Sequence, residues 1–330
     1  MLNHNLLREI SITEFKNINI GHAQDYDGGT GCTVIICKEP AAAGVDVRGG
    51  GPASRETQTI NPMMSIETIN AVVLAGGSAF GLDAAGGVMK YLEERSVGFD
   101  VGVTKVPIVC QSDLFDLTVG SCNVRPDFDM GYAACINSEK NNPLQGCIGA
   151  GTGATVGKIL GMQRCTKSGI GMYAVQLGEL MVGAVVAVNS LGDVFEHESG
   201  RKIAGVLDDT CCTLDEKTCE EYMYELYNGS KNQFAFNTTI GVVITNAKFS
   251  KTHMTKIAQM AQNGYARSIS PVHTMLDGDT VYALSVGEID ADINLAGTLS
   301  AYAASKAIEN AVNYSKSMFG FKAVCDLKKK

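Results

Sequence analysis

Long apolar runs, basic stripes and clustered histidines are all missing from this chain. No stretch reaches the length of a membrane span, so no spanning helix is expected. No Lys/Arg stripe carries interleaved aromatics, which argues against a nucleic-acid partner, and the formal net charge is -8. Lys328-Lys329-Lys330 reads as a short solvated tail. The five histidines (His4, His22, His197, His253 and His273) form no spaced set, and each reads as a surface or hydrogen-bonded core residue. The 11 cysteines are odd in number and irregularly spaced. Cys211-Cys212 and Cys219 lack the paired C-x-x-C spacing of a zinc site, so neither a metal nor another cofactor is expected. The N-terminal MLNHNLLREISITEF has no apolar core and no small-residue cleavage site. With thiols read as reduced, the expectation is a cytoplasmic protein. Tryptophan is absent, and only 19% of residues are charged.

What is present is material for a large core: 45% hydrophobic residues in 330 positions. That length suits one large domain or two ordinary ones, and the composition excludes disorder. The 37 glycines cluster, which implies tight turns and close backbone approach. Charge is uneven: residues 238–330 carry a net +3 and residues 1–237 a net -11. If the chain were cut there, that asymmetry would mildly favour the two pieces staying together.

Residues 31–38 (GCTVIICK), 69–76 (INAVVLAG), 179–189, 238–245 (TTIGVVIT) and 280–286 (TVYALSV) read as strands. Helices are expected after Ser78, through Phe80, Leu82, Met89 and Leu92, over roughly 251–266, and near 297–313. Gly149 to Lys158 reads as a glycine-rich turn entering a helix. Residues 201–237, acidic and ending in the polar run Asn228 to Gln233, read as an exposed linker. Strands and helices mix without strict βαβ alternation, so the expected class is an α+β layered sandwich.

Several segments imitate catalytic motifs. The Gly-Gly-Ser at 76–78 suggests a nucleophile elbow, but Phe80 occupies the second glycine position, and a helix cap is the preferred reading. Gly149-x-Gly151-x-x-Ala154 matches a loose dinucleotide fingerprint, yet Glu179 begins a strand where the fingerprint's acid should end one. Gly157-Lys158 fails as a phosphate loop because Thr152 replaces its first Gly and Ile159 its Ser/Thr. Asp277-Gly278-Asp279 alone is a turn, though two carboxylates at i and i+2 share a face on extended backbone. Asn237-Thr238-Thr239 alone is a strand start.

Together, nine ordered blocks resemble the L-aminopeptidase D-esterase/amidase family, which includes β-aminopeptidases, pantetheine hydrolases and nylon-oligomer hydrolases. They are IGHAQD (20–25), VDVRGGGPASRET (45–57), VLAGGSAFGLDAA (73–85), VGFDVGVTKVPIV (97–109), MGYAAC (130–135), GAGTGATVGK (149–158), VGAVVAVNSLGDV (182–194), NTTIGVVITNA (237–247) and SPVHTMLDGDTVYAL (270–284). The resemblance implies an N-terminal-nucleophile hydrolase with a four-layer αββα sandwich, one composite domain cut into an α chain (1–237) and a β chain (238–330). The implied self-cleavage falls between Asn237 and Thr238. The aminopeptidase branch more often has Gly-Ser at that junction, and Asn-Thr is closer to the pantetheine and nylon-oligomer branch.

The resemblance also assigns roles. Thr238 is the nucleophile, first for self-cleavage and then, with its freed amine as base, for hydrolysis of a small peptide or peptide-like amide. Asp277 and Asp279 hold and polarise the Thr238 amine and hydroxyl. Lys158 contributes positive charge or a donor, Asn189 donates to the oxyanion, and Tyr132 is a pocket position that supplies a second hydrogen bond. A homotetramer of α/β heterodimers is the implied assembly. Three other readings compete: a non-catalytic relative, an acyltransferase of related fold, and a Ser-His-Asp esterase built on Ser78.

Overall fold

The structure, a computed structural model, describes residues 6–227 and 237–328. Its main strands are β1 (Ile18–Asp25), β2 (Thr30–Val47), β3 (Thr68–Ala75), β4 (Val109–Asp113), β5 (Ile170–Leu177), β6 (Leu180–Asn189), β7 (Thr238–Ala247) and β8 (Thr280–Ile289). Its helices are α1 (Ala84–Glu94), α2 (Phe128–Ser138), α3 (Cys219–Leu226), α4 (Lys251–Ser268) and α5 (Ile293–Asn313). Side-chain caps start four of them: Asp127 on α2, Thr218 on α3, Ser250 on α4 and Asp292 on α5.

One sheet runs Arg8–Ile10, β5, β6, β7, β8 and the second half of β2. The other runs β1, the first half of β2, β3, β4 and Ala53–Arg55. The 18-residue β2 belongs to both: residues 30–37 pair with β1, and residues 42–47 pair with β8. Its register shifts between Ile36 and Ala41. Pro40 lies in that interval, where a residue without an N–H is tolerated. The sequence reading stops this strand at Lys38; the chain continues it beyond the proline.

Alternation of side chains creates three apolar layers. In β7, Ile240, Val242 and Ile244 face the second sheet, where they meet Ile35, Val72 and Leu74. Val243 and Ala247 face the other way, onto Ile257, Ala261 and Tyr265 of α4 and Ala304 and Ile308 of α5. Beyond the second sheet, Val73 and Val34 pack on Val88 and Leu92 of α1 and Ala134 of α2. Helices, sheet, sheet, helices: the architecture is the expected αββα sandwich. The two sheets are hydrogen-bonded into one another through β2.

Three local expectations change. Gly149 to Lys158 enters no helix: Gly149–Gly151 makes one short turn, and Thr155–Val156 pairs with Thr166–Lys167. Ser78 does not cap α1, which begins at Ala84 after a 3-10 turn over Ser78–Asp83. The segment read as a linker carries a strand at Lys202–Ala204 and all of α3. The polar run Asn228 to Gln233 lies outside the described residues.

Candidate active site

β7 begins at Thr238 and lies between β6 and β8. The antiparallel register places Asn189, the last residue of β6, opposite Thr238. Alternation puts both on the inter-sheet face, in phase with Ala187 and Ile240. One residue earlier, Asn237 bridges to Asp277 in parallel. The Asn237 N–H donates to Leu276 O at 3.1 Å, and its carbonyl accepts the Gly278 N–H at 3.0 Å. The Thr238 hydroxyl donates to that same carbonyl oxygen. Thr238 is only 4% exposed, so the intact chain offers no open nucleophile.

The turn carrying Asp277, Gly278 and Asp279 is wrapped by Arg48 to Gly51. Arg48 N–H donates to Asp279 O (3.0 Å), Gly50 N–H to Thr274 O (3.1 Å) and Gly51 N–H to Asp277 O (2.9 Å). A Cβ on Gly49 would lie 2.3 Å from Asp277 O, so only glycine allows this approach. Oδ2 of Asp277 accepts the Thr274 N–H (2.9 Å) and hydroxyl (2.5 Å). Asp279 accepts the Thr239 N–H on Oδ1 (2.7 Å) and the His273 N–H on Oδ2 (3.0 Å). Asp279 thus grips Thr239, the residue after Thr238, while Asp277 holds its own turn through Thr274. Burial raises the proton affinity of both; the charge of Asp277 raises Asp279 further, and Lys158 pulls Asp277 back down.

Lys158 is threaded beside the end of β6 by its own N–H on Leu191 O (3.0 Å) and by the Gly157 N–H on Gly192 O (3.1 Å). Its Nζ donates to Asn189 O (3.0 Å) and Oδ1 (2.7 Å). Burial draws the Lys158 ammonium down to about 7, against Cys165, Asp277 and Asp116, which pull upward. The Thr155 N–H also donates to Asn189 Oδ1 (3.1 Å), which fixes the amide orientation. Asn189 Nδ2 donates one hydrogen to Phe115 O (2.8 Å) and retains a second. Thr238 is therefore flanked by Asn189 on one strand and by the turn bearing Asp277 and Asp279 on the other, with Lys158 bonded to Asn189.

Tyr132 is not brought into this group. It lies on α2, its hydroxyl donates to Glu94 (2.8 Å) and its ring meets Tyr91 edge-on. The side chain points to the α1–α2 surface, so the described contacts supply no second hydrogen bond at Thr238. Ser78 adopts a left-handed φ of 54°. Among the described residues, no histidine ring is hydrogen-bonded to it, so no described base supports the esterase reading.

Sequence reasoning missed Thr155, Phe115, Thr274, His273 and the wrapping role of Gly49 to Gly51. Thr274 had a signal: a hydroxyl three residues before Asp277 suits a local side-chain turn. Asp116 was also missed. It is buried, accepts from Thr30 Oγ1 and the Gly77 N–H (both 2.7 Å), and burial pushes it up to about 6. Its folded affinity for the proton exceeds the unfolded one. The stability it contributes is complete below about pH 4 and is lost as pH rises through 6, at a cost of roughly 3 kcal/mol. Asp116→Asn can keep both hydrogen bonds, so its melting temperature should vary less between pH 4 and 7 than the parent's. Parallel melting curves check this.

Among the described residues, no group of three or more His, Cys, Asp or Glu could hold a metal ion. No described helix is long and apolar enough to cross a membrane.

The family model for peptidase family S58 matches residues 11–325. An uncharacterised aminopeptidase of Mycobacterium leprae is 38% identical over 301 residues, covering 85% of this chain and 80% of the relative. A 6-aminohexanoate-oligomer endohydrolase of Agromyces is 30% identical over 288 residues, covering 86% and 77%. Among solved structures, the L-aminopeptidase D-Ala-esterase/amidase of Ochrobactrum anthropi, a variant of the Ntn hydrolase fold, superposes with TM-score 0.68 at 16% identity, covering 93% and 87%. A β-aminopeptidase of Burkholderia superposes with TM-score 0.66 at 18% identity, covering 96% and 91%. The likeness to these structures extends to the sandwich, and the sequence match extends over nearly the whole chain: the protein is a hydrolase that belongs to peptidase family S58.

Proposed function

We propose that the chain cleaves itself between Asn237 and Thr238, and that Thr238 then hydrolyses amide bonds of small peptides or peptide-like amides through an acyl-enzyme. The observation that carries this reading is the Thr238 hydroxyl on the Asn237 carbonyl, at a strand start flanked by Asn189 on one side and Asp277 and Asp279 on the other. In the first reaction Oγ1 attacks the Asn237 carbonyl carbon. The C–N bond breaks, the α-nitrogen of Thr238 gains the hydroxyl proton, and water then hydrolyses the ester. In the second, the freed α-amine, titrating near pH 8, takes the hydroxyl proton as Oγ1 attacks a substrate amide.

Asn189 is the oxyanion donor of hydrolysis in this reading, and Lys158 holds its amide in place. The Asp pair neutralises the new ammonium of Thr238, whose positive charge favours the ionised carboxyls. The named activity of the Agromyces relative supports an oligomeric ω-amino acid amide as one substrate class, and the aminopeptidase names of others support peptides. A tetramer of cleaved pairs is the proposed assembly, and light scattering on the purified protein tests it.

A mass spectrum of the purified protein should contain two pieces, residues 1–237 and the 93 residues from 238 to 330. A single full-length mass in active protein refutes the reading.

The two carboxylates should respond differently to amidation. Asp277 accepts on Oδ2 from Thr274, with the Leu191 backbone as a weaker further partner of the carboxyl, so Asp277→Asn can preserve the Thr274 bonds. Its melting temperature should stay near the parent's while hydrolysis falls at least about tenfold, a barrier increase of roughly 1.4 kcal/mol. Asp279 accepts a backbone N–H on each oxygen. Asp279→Asn must turn an NH2 toward one of them, costing roughly 1–3 kcal/mol of stability as well. Melting curves and rates per cleaved molecule separate the two.

A further inference from the structure

The carbonyl cut in self-cleavage is already hydrogen-bonded in the intact chain. Asn237 O accepts the Gly278 N–H at 3.0 Å. That carbonyl is directed to the β8 flank of β7, because its partner belongs to the turn entering β8. Asn189 lies on the opposite flank, at the end of β6. The peptide that joins Asp277 to Gly278 is anchored at both ends. Its carbonyl accepts the Gly51 N–H at 2.9 Å, and its N–H meets Asn237 O. A donor on the carbonyl end polarises the peptide and strengthens its N–H as a donor. The next carbonyl, Gly278 O, accepts the Thr280 hydroxyl at 2.9 Å, which holds the turn from the other side. A Cβ at Gly278 would lie 2.8 Å from Thr238 Oγ1 and 3.0 Å from Gly51 O, so the nucleophile rests directly on this glycine.

We infer that the Gly278 N–H, polarised by the Gly51 N–H, is the oxyanion donor of self-cleavage. This rests on the proposed self-cleavage. As Thr238 Oγ1 bonds to the Asn237 carbon, the carbonyl π pair moves onto oxygen. Negative charge grows on the atom that already faces the Gly278 N–H. Collapse re-forms the carbonyl, breaks the C–N bond and leaves the hydroxyl proton on the α-nitrogen of Thr238. A donor fixed before the reaction stabilises that charge without reorganisation. Self-cleavage and hydrolysis thus draw on opposite flanks of β7: Gly278 for the first, Asn189 for the second. The triplet Gly49-Gly50-Gly51 acquires a part in maturation, acting through Gly278.

The test replaces one N–H by an oxygen in the full-length chain, by incorporating glycolic acid at position 278. The rate is read as appearance of the 93-residue piece. With the donor gone, that rate should fall about a hundredfold, the usual size of one oxyanion donor. Glycolic acid at position 51 removes only the polarising N–H and should slow cleavage less. A parent chain that stays uncut means that the self-cleavage reading itself fails. A parent that cuts, with the 278 ester cutting equally fast in a chain of parental melting temperature, overturns the inference. If the 278 ester does not fold, the ester at 51 decides: cleavage at the parental rate overturns the inference, and measurable slowing supports it.

Discussion

Thr238→Ala is expected to leave the chain in one piece and without amidase activity. In the proposed mechanism one hydroxyl serves both reactions, and its named neighbours are otherwise committed: Asn189 and Lys158 are hydrogen-bond donors, and the carboxyls are engaged with Thr274, Thr239 and His273. Losing a nucleophile of this kind costs roughly a thousandfold or more. Thr238→Ser keeps the hydroxyl and loses the methyl that restricts its rotamer. It should retain part of each activity. The methyl itself is closely packed, since a Cβ at Gly278 would lie 3.2 Å from it. Gel analysis of cleavage over days, with rates on the soluble protein, measures both. Normal turnover by the alanine variant would remove Thr238 from the mechanism.

Asn189→Ala should fold, still mature and lose most of its turnover. Its remaining Nδ2 hydrogen is the donor assigned to the substrate oxyanion, and one such donor is worth on the order of 3 kcal/mol, or about a hundredfold. The change also takes Oδ1 from Lys158 and Thr155, leaving Lys158 Nζ with Asn189 O. Part of the loss will therefore come from a less ordered ammonium. The informative number is the rate per cleaved molecule, because any incomplete maturation would mimic slow chemistry. Parental turnover in fully cleaved Asn189→Ala moves the oxyanion role to another group.

Much of the sandwich could be read from local pattern. β3, β6, β7 and β8 each carry an apolar, β-branched run between turns, and α4 and α5 are bounded by Ser250 and Asp292. Where local pattern fell short, long-range contacts decided the outcome. Glycines at 149–153 permit a helix entry or an irregular turn equally well. The fold selects the turn, closing Gly151 against the backbone of Gly169 and Ile170. β2 crosses Pro40 because partners on both sides of the break hold it extended. At the site, residue types were legible and directions were not. Asn189 faces Thr238 through a register that no single segment encodes. Asp277 and Asp279 look equivalent in sequence, yet the first is held mainly by its own turn through Thr274 and the second bridges the Thr239 and His273 N–H groups. Tyr132 travels within a matching block, but its hydroxyl is committed to Glu94.

The sheet order has a kinetic consequence. β7 and β8 are not at an edge; they stand between β6 and β2, and both lie C-terminal to the Asn237–Thr238 bond. If that bond is cut as proposed, the short piece supplies the middle of a sheet whose two sides belong to the long piece. The pieces cannot part without opening hydrogen-bonded ladders on both flanks, so dissociation and unfolding become one event. Returning from the unfolded state then requires two molecules to meet. Refolding, first order in the uncut chain, becomes second order after the cut, so its rate falls on dilution.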